Sequence, residues 1–201
     1  MMDYENKITG YHCNYKSRLE CFITKNEICI SLDTHYLGDG MYFWNNQYDL
    51  RFWEAKKKAQ AKGAGIEEPI LCVTAKIGYD TCQLLDLTVK EEFEKLIKIR
   101  NIVNNAHKSK KDVFENYALG EVINKLFRAE GTFGAYFSEI KVIKVNLRYE
   151  NISEGYIIGA KDYSERLHPN QSFSFDVRTI HCVKDGANLS FCEIIKEEVA
   201  S

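Results

Sequence analysis

The stretch Leu37-Gly-Asp-Gly-Met-Tyr-Phe-Trp44 decides how this sequence is interpreted. Gly38 and Gly40 favour a tight turn, or a place where a ligand approaches the backbone closely, because glycine has no side chain to obstruct either. The apolar and aromatic residues from Met41 onward are typical of a buried strand. The stretch therefore predicts a turn that leads directly into a strand of the core.

A helix is predicted immediately after this strand. Two asparagines resemble an N-terminal cap, residues 47–62 have helical spacing, and a glycine follows them. Leu50, Trp53 and Lys57 fall on one face of this helix, because residues three or four positions apart lie on the same side. The sequence thus predicts a strand, a cap and a helix in close succession.

The remaining elements predict an α+β fold in a single domain that spans residues 1–201. Strands lead, helices occupy the middle and strands finish the chain, an order that favours largely antiparallel pairing over repeated βαβ units. No linker or internal repeat divides the sequence. The other predicted strands cover residues 8–12, 70–77, 140–147, 171–177 and 189–195, the other predicted helices cover residues 19–23, 89–104 and 113–129, and a charged loop covers residues 107–112.

Composition excludes several classes of protein. The chain has 201 residues, of which 45% are hydrophobic, and a net charge of −2, which argues against disorder and against coating nucleic acid through bulk charge. No apolar run reaches the ~18 residues of a membrane helix, and no secretory signal is visible. Seven cysteines without a CxxC pair predict neither a disulfide framework nor a metal site. We therefore expect a cytoplasmic protein without a membrane partner.

Lysines cluster in two places, which permits two interpretations. They could contact nucleic-acid phosphates, or they could form ordinary solvated surface. The sequence favours solvated surface because no tyrosines are interleaved with them. The residues are Lys56, Lys57, Lys58 and Lys62 on the predicted helix, and Lys108, Lys110 and Lys111 in the charged loop.

Four segments together resemble the bacterial NAD-dependent ADP-ribosyltransferases of the diphtheria-toxin/PARP-like branch. They are GYHCN at residues 10–14, YLGDGMYFW at 36–44, the helix with Trp53, and HPNQSFSF at 168–175. More narrowly, the chain resembles a compact group with a YHG[TS] start, a WLGxGxYFW block and a late E-G…HxQI stretch. The resemblance covers residues 8–182. It implies a split fold of two small, mostly antiparallel sheets flanked by helices, with NAD bound in the cleft between them.

The resemblance also implies a task for three residues. His12 matches the histidine whose ring hydrogen-bonds the adenosine-side ribose of NAD. Tyr42 matches the tyrosine whose ring stacks against nicotinamide, a contact that needs a flat aromatic face. Gln171 matches the position that contacts the nicotinamide ribose. Without the resemblance, each residue is more simply interpreted as a structural strand or loop residue.

Other residues are expected to have smaller roles in this site. Asn14 is expected to replace a hydroxyl that the family places near NAD, although Cys13 adds bulk where glycine is usual. The glycines of the 37–44 stretch, with Asp39, shape the approach to the pocket. Trp44 and Trp53 are expected to pack behind the site. The cofactor-binding set is therefore His12, Asn14, Gly38, Gly40, Tyr42 and Gln171.

Gln171 stands where many relatives in the wider superfamily carry glutamate. An amide can hydrogen-bond a ribose hydroxyl, but it cannot accept a proton as a carboxylate does. If the enzyme is active, Glu154 is the first candidate for the residue that handles the proton, and Glu165 is the second. A target that needs little activation, such as a nucleobase amine, is the other solution.

The resemblance predicts a transferase of the glycosyltransferase class, a mono-ADP-ribosyltransferase that uses NAD. Its acceptor would be a protein or a nucleic acid such as RNA. Enzymes of this kind act as toxins and in antiviral (phage) defence, so a toxin–antitoxin pair, with an antitoxin protein as partner, is also expected. Two alternatives remain open: a non-catalytic module that binds NAD, ADP-ribose or a partner protein, and an NAD glycohydrolase.

Overall fold

The computed structural model describes residues 4–33, 36–108, 118–149, 155–158 and 177–195. The strands are β1 (Asn6–Tyr15), β2 (Met41–Trp44), β3 (Ile70–Tyr79), β4 (Leu84–Asp86), β5 (Val142–Tyr149), β6 (Gly155–Ile158), β7 (Val177–Val183) and β8 (Asn188–Ile194). The helices are α1 (Lys16–Lys25), α2 (Gln47–Gly63), α3 (Lys90–Lys108), α4 (Leu119–Phe127) and α5 (Gly131–Glu139), and a 3-10 turn at Thr81–Gln83 precedes β4.

The eight strands of the described residues form one mixed sheet. Its order is β4-β5-β7-β2-β1-β3-β8, with β6 also paired to β5. Neighbouring strands are antiparallel except β4 and β5, which run parallel. The predicted α+β class with largely antiparallel pairing is therefore confirmed.

The sheet has a narrow seam between β1 and β2. β1 pairs with β3 along its whole length, whereas it pairs with β2 only where Tyr11 faces Trp44. Gly10 allows this approach, because a Cβ atom there would lie 2.8 Å from the Cβ of Phe43. The expected pair of separate sheets is therefore one sheet in the structure, with two halves that meet at a single residue pair.

Side chains alternate between the two faces of the sheet, and helices cover both faces. On one face, Leu19 and Phe22 of α1 pack with Phe43 and with the strand residues around it. On the other face, residues of α2, α3, α4 and α5 pack with Trp44 and with Ile180 of β7. Both faces of the sheet are thus packed against core residues.

The elements nearest residues 37–44 agree with the prediction from the sequence. Asn46 caps α2, since its side chain accepts a hydrogen bond of 2.8 Å from the backbone N–H of Asp49. This satisfies one of the N–H groups that the first turn of a helix leaves without a partner. The predicted β2 and α2 are therefore confirmed.

Four elements differ from the prediction. α4 begins at Leu119 rather than at residue 113, because Ala118 has an extended backbone with ψ of 157°. α3 continues to Lys108, so the start of the predicted charged loop is helical. α5 and most of β7 were not predicted as a helix and a strand. Residues 109–117 and 171–176, which include parts of a predicted helix and a predicted strand, lie outside the described residues.

The helices among the described residues do not have the character of membrane spans. In the described part of the chain, none combines the length and the apolar character that crossing a bilayer requires.

Candidate functional site

A cavity of about 180 Å³ lies at the seam of the sheet. Its walls come from elements that are distant in sequence but meet where β1 and β2 part. The lining includes two residues from each of three elements: His12 and Asn14 of β1, Tyr42 and Trp44 of β2, and Trp53 and Lys57 of α2. The expected residues His12, Asn14 and Tyr42 therefore share one cavity.

His12 presents an unused hydrogen-bond acceptor. Its Nδ1 lies 2.6 Å from the backbone carbonyl of Tyr42, which can only accept, so Nδ1 carries the proton. The pKa of His12 is lowered to about 4, chiefly by burial and also by the positive charges of Lys57 and Arg18, while the hydrogen bond to Tyr42 acts in the opposite direction. The ring is therefore neutral at pH 7. Its Nε2 is buried and has no hydrogen-bond partner among the described residues, so it is an unsatisfied acceptor.

The ring of Tyr42 is fixed by its hydroxyl group. The oxygen lies 2.5 Å from Oδ2 of Asp33 and 2.7 Å from the Gly38 carbonyl, so its proton has two acceptors, and it accepts a bond from the Leu37 N–H. Burial, and after it the nearby Cys182 and Asp33, raise the pKa of the phenol above its ordinary value. Tyr42 is thus a neutral ring held in one orientation.

Asp33 is a lining residue that sequence reasoning missed. Its carboxylate also accepts hydrogen bonds from the backbone N–H groups of Tyr36 and Leu37, at 3.0 and 2.9 Å. Nothing local marks Asp33 in the sequence, because the tyrosine that it orients lies nine positions later on another element. Its observed role is to join the loop of residues 36–40 to Tyr42.

Gly38 and Gly40 do not line the cavity. Gly38 has a φ of +74°, and a Cβ atom there would lie 2.3 Å from Oδ1 of Asn124 on α4. A Cβ atom at Gly40 would lie 2.5 Å from the sulfur of Cys182 on β7. Their observed task is to let the loop pack tightly, rather than to admit a ligand.

The loop is also tied to α4 by polar contacts at Asp39. Its carboxylate accepts bonds from Asn124 at 3.0 Å and from Arg128 at 2.9 Å, and its N–H donates to Asn124 at 2.6 Å. Lys184 donates to the Leu37 and Asp39 carbonyls, both at 2.7 Å. Asp39 therefore supports the loop from behind and does not line the cavity.

Lys57 does not belong to the solvated surface that the sequence favoured. Its ammonium lies 3.2 Å from Oδ1 of Asn14 and 5.5 Å from the centre of the Tyr15 ring. Burial lowers the pKa of Lys57. The sequence did carry a signal for this placement, since Lys57 shares a helix face with Leu50 and Trp53.

Both tryptophans line the cavity, although they were expected to pack behind the site. The ring centres of Trp44 and Trp53 lie 5.7 Å apart, and the planes are tilted by 53°. Trp44 is also part of the core, so the core and the cavity share this side chain. The ammonium of Lys56 lies 4.9 Å from the Trp53 ring.

Gln171, Glu154 and Glu165 lie outside the described residues. Their relation to the cavity stays a prediction, as do the positions of Lys110 and Lys111. Among the described residues, no group of three or more His, Cys, Asp or Glu side chains could hold a metal ion.

Comparison of the chain with protein-family models, with curated proteins and with solved structures found no match. The function proposed below therefore depends on the site and on the motifs.

Proposed function

We propose that this chain is an NAD-dependent mono-ADP-ribosyltransferase whose NAD site is the cavity at the seam. The observation that carries the proposal is the meeting of His12 and Tyr42 in one cavity, with Nε2 of His12 left as an unused acceptor. These two residues come from separate motifs of the resemblance, 30 positions apart.

The chemistry of His12 suits a sugar hydroxyl. A neutral imidazole with its proton on Nδ1 presents a lone pair on Nε2, and a ribose hydroxyl can donate to it. Leaving a buried acceptor without a partner costs about 1–3 kcal/mol, and a bound ribose would remove that cost. A ribose is therefore a favourable partner at this point of the cavity.

The aromatic residues suit a flat ring. Tyr42, Trp44 and Trp53 supply three rings, of which Tyr42 is held by its hydroxyl group. Stacked or tilted aromatic pairs stabilise by about 0.5–1.5 kcal/mol beyond the area that they bury. In the proposed reaction the bond between nicotinamide and ribose breaks through an oxocarbenium-like state, so holding both groups in place favours cleavage.

The size of the cavity limits how much of NAD it encloses. A volume of about 180 Å³ is below the ~300–1,000 Å³ of typical small-molecule sites. The cavity would enclose one ring and its ribose, and the remainder of the dinucleotide would extend outward along the seam. A macromolecular acceptor, whether protein or RNA, would then approach from the open side.

A non-catalytic NAD-binding module is the second candidate, and one observation favours it. Asp33 is the only carboxylate among the described residues of the lining, and it is engaged by Tyr42 and by backbone N–H groups. A group engaged in this way serves the position of Tyr42 better than it serves proton transfer. Binding without turnover follows if no carboxylate outside the described residues completes the site.

Purified protein incubated with NAD labelled in its adenylate moiety separates these functions. Label on protein or RNA supports transfer, free ADP-ribose supports an NAD glycohydrolase, and intact NAD with measurable binding supports the module. Intact NAD without binding would refute the proposal. Mass spectrometry of lysate protein and RNA after the reaction identifies the acceptor, including a toxin target if there is one.

Gln171→Glu tests the role of the amide that the resemblance assigns. If the missing carboxylate restricts the enzyme to acceptors that need little activation, this variant should widen the range of labelled acceptors. An unchanged set of labelled molecules, with unchanged NAD consumption, would contradict that explanation.

A further inference from the structure

Lys57 differs from its helical neighbour in how its charge is balanced. Lys58 forms an ion pair of 2.9 Å with Glu54 of the same helix. Lys57 instead points its ammonium at Asn14, a neutral amide, and at the face of the Tyr15 ring. Among the residues that the structure describes, no carboxylate forms an ion pair with Lys57.

Arg18 adds a second positive charge near Lys57. Arg18 lowers the pKa of Lys57 and of His12, and Lys57 itself lowers that of His12. The thiols of Cys13 and Cys29 act in the opposite direction on Lys57. A partly buried ammonium without an ion-pair partner loses hydration and gains no opposite charge in return. This loss is unfavourable unless a bound anion supplies the opposite charge.

We propose that Lys57 is the anion-binding residue of the cavity and takes a phosphate group of the ligand. The inference rests on the proposed function, because a dinucleotide brings both an aromatic ring and a diphosphate. An ammonium is a compact charge with three donors, of which Asn14 uses one. The others remain for phosphate oxygens, which form strong charge-assisted hydrogen bonds.

Lys57 also sets the direction of the ligand in the cavity. Asn14, its partner, lies about 10 Å along β1 from Tyr11, the residue that faces Trp44 across the seam. The nicotinamide ring of NAD carries a positive charge, which the ammonium repels. The diphosphate therefore lies at the Asn14 end, and the ring lies toward Trp44 and Ile180, where the lining is apolar. In this orientation the ribose beside His12 is the one that carries nicotinamide, and not the adenosine-side ribose that the resemblance implies.

Two ligands that differ by one phosphate test the inference. Nicotinamide mononucleotide and nicotinamide riboside share the ring and the sugar, so the ratio of their dissociation constants measures the contribution of the phosphate. The titrations use the full chain, Lys57→Gln, Lys57→Arg and the control Lys62→Gln, which removes an exposed charge from the same helix. Inorganic pyrophosphate is titrated separately, and near-ultraviolet circular dichroism checks that each variant is folded.

The wild type should bind the mononucleotide about 10- to 100-fold more tightly than the riboside, as one charge-assisted contact predicts. Lys57→Gln should abolish this preference without weakening riboside binding, Lys57→Arg should retain part of the preference, and Lys62→Gln should retain all of it. Equal losses for both ligands in Lys57→Gln, or an unchanged preference, would overturn the role of Lys57 and leave the proposed function standing.

Pyrophosphate distinguishes failure of the proposed function from failure of this inference. If neither nicotinamide compound binds but pyrophosphate binds the wild type and not Lys57→Gln, the anion site stands and the NAD site does not. If pyrophosphate binds the wild type and Lys57→Gln equally, or binds neither, while the nicotinamide compounds also fail to bind, the anion site is refuted as well.

Discussion

Two buried histidines, His12 on β1 and His181 on β7, look alike by every local measure. His12 is 5% exposed and His181 3%, and each has a ring nitrogen without a hydrogen-bond partner among the described residues. Burial lowers the pKa of both to about 4. They differ in their surroundings, since His12 lines the cavity and His181 does not line it. An unpartnered nitrogen therefore marks a site only where a ligand has room to reach it.

The neighbours of His181 explain why it is structural. It faces Phe43 of β2 and Lys144 of β5 in the sheet, and alternation along β7 places it on the same face as Val183. After burial, the positive charge of Lys144 is the next cause that lowers its pKa, while Asp86 raises it. His181 is thus part of the packing on the α1 side of the sheet.

The largest expected effect is on turnover of NAD. His12→Ala should lower NAD consumption about 10³-fold, as loss of a placed hydrogen-bonding group in an active site does, whereas His181→Ala should leave it near that of the wild type. The measurement is the rate of NAD consumption at saturating NAD and equal protein concentrations, with urea unfolding as a check on folding. Equal losses in two folded variants would break the distinction between the histidines.

A smaller effect concerns stability in acid, where the two histidines should behave alike. In the unfolded chain the two histidines take up protons near pH 6.5, and in the folded chain they do so only near pH 4. Their contribution to the stability of the folded state is therefore fully present above pH 6.5 and is lost as the pH falls toward 4. Each histidine should remove about 3 kcal/mol from the free energy of unfolding as the pH falls from 6.5 through 4.

Urea unfolding at several pH values between 7.5 and 4.5 measures this loss. His12→Leu and His181→Leu should each flatten the dependence on pH by a similar amount, and the double variant should flatten it most. A dependence that survives in the double variant would show that other groups cause the acid sensitivity.

The smallest effect concerns the hydroxyl group of Tyr42, which joins β2 to the loop before it. Tyr42→Phe keeps the ring but removes the hydroxyl that joins Asp33 and Gly38, and should cost about 1–2 kcal/mol of the free energy of unfolding. Tyr48→Phe is the control, because Tyr48 is 73% exposed and its change should stay within about 0.5 kcal/mol. Equal values for both variants would show that the hydroxyl contacts do not hold the loop.

Much of the fold near the seam was predictable because the signals are local. Glycines before an aromatic run predicted β2, asparagines predicted the cap of α2, and helical spacing placed Trp53 and Lys57 on one side. Where signals were weak, prediction failed. α5 contains two glycines and three aromatic residues, which are poor helix formers, so its helical state depends on packing by residues such as Phe137.

The candidate site was predictable in some of its members and not in its geometry. The motifs brought forward His12, Asn14 and Tyr42, all of which line the cavity. They also brought forward Gly38 and Gly40, which serve the packing of the loop. Asp33 carried no motif at all, because its role depends on an oxygen atom of a residue on another element.

The sequence by itself determined the α+β class, the strand that ends at Trp44 and the helix that follows it, and the residue types that the proposed NAD site uses. Only the tertiary structure decided that β1 and β2 meet at one residue pair, that His12 keeps Nε2 without a partner, and that Lys57 turns into the cavity. The reason is physical: turns, caps and helix faces depend on neighbours in the chain, whereas burial, charge balance and unpartnered groups depend on residues far apart in sequence.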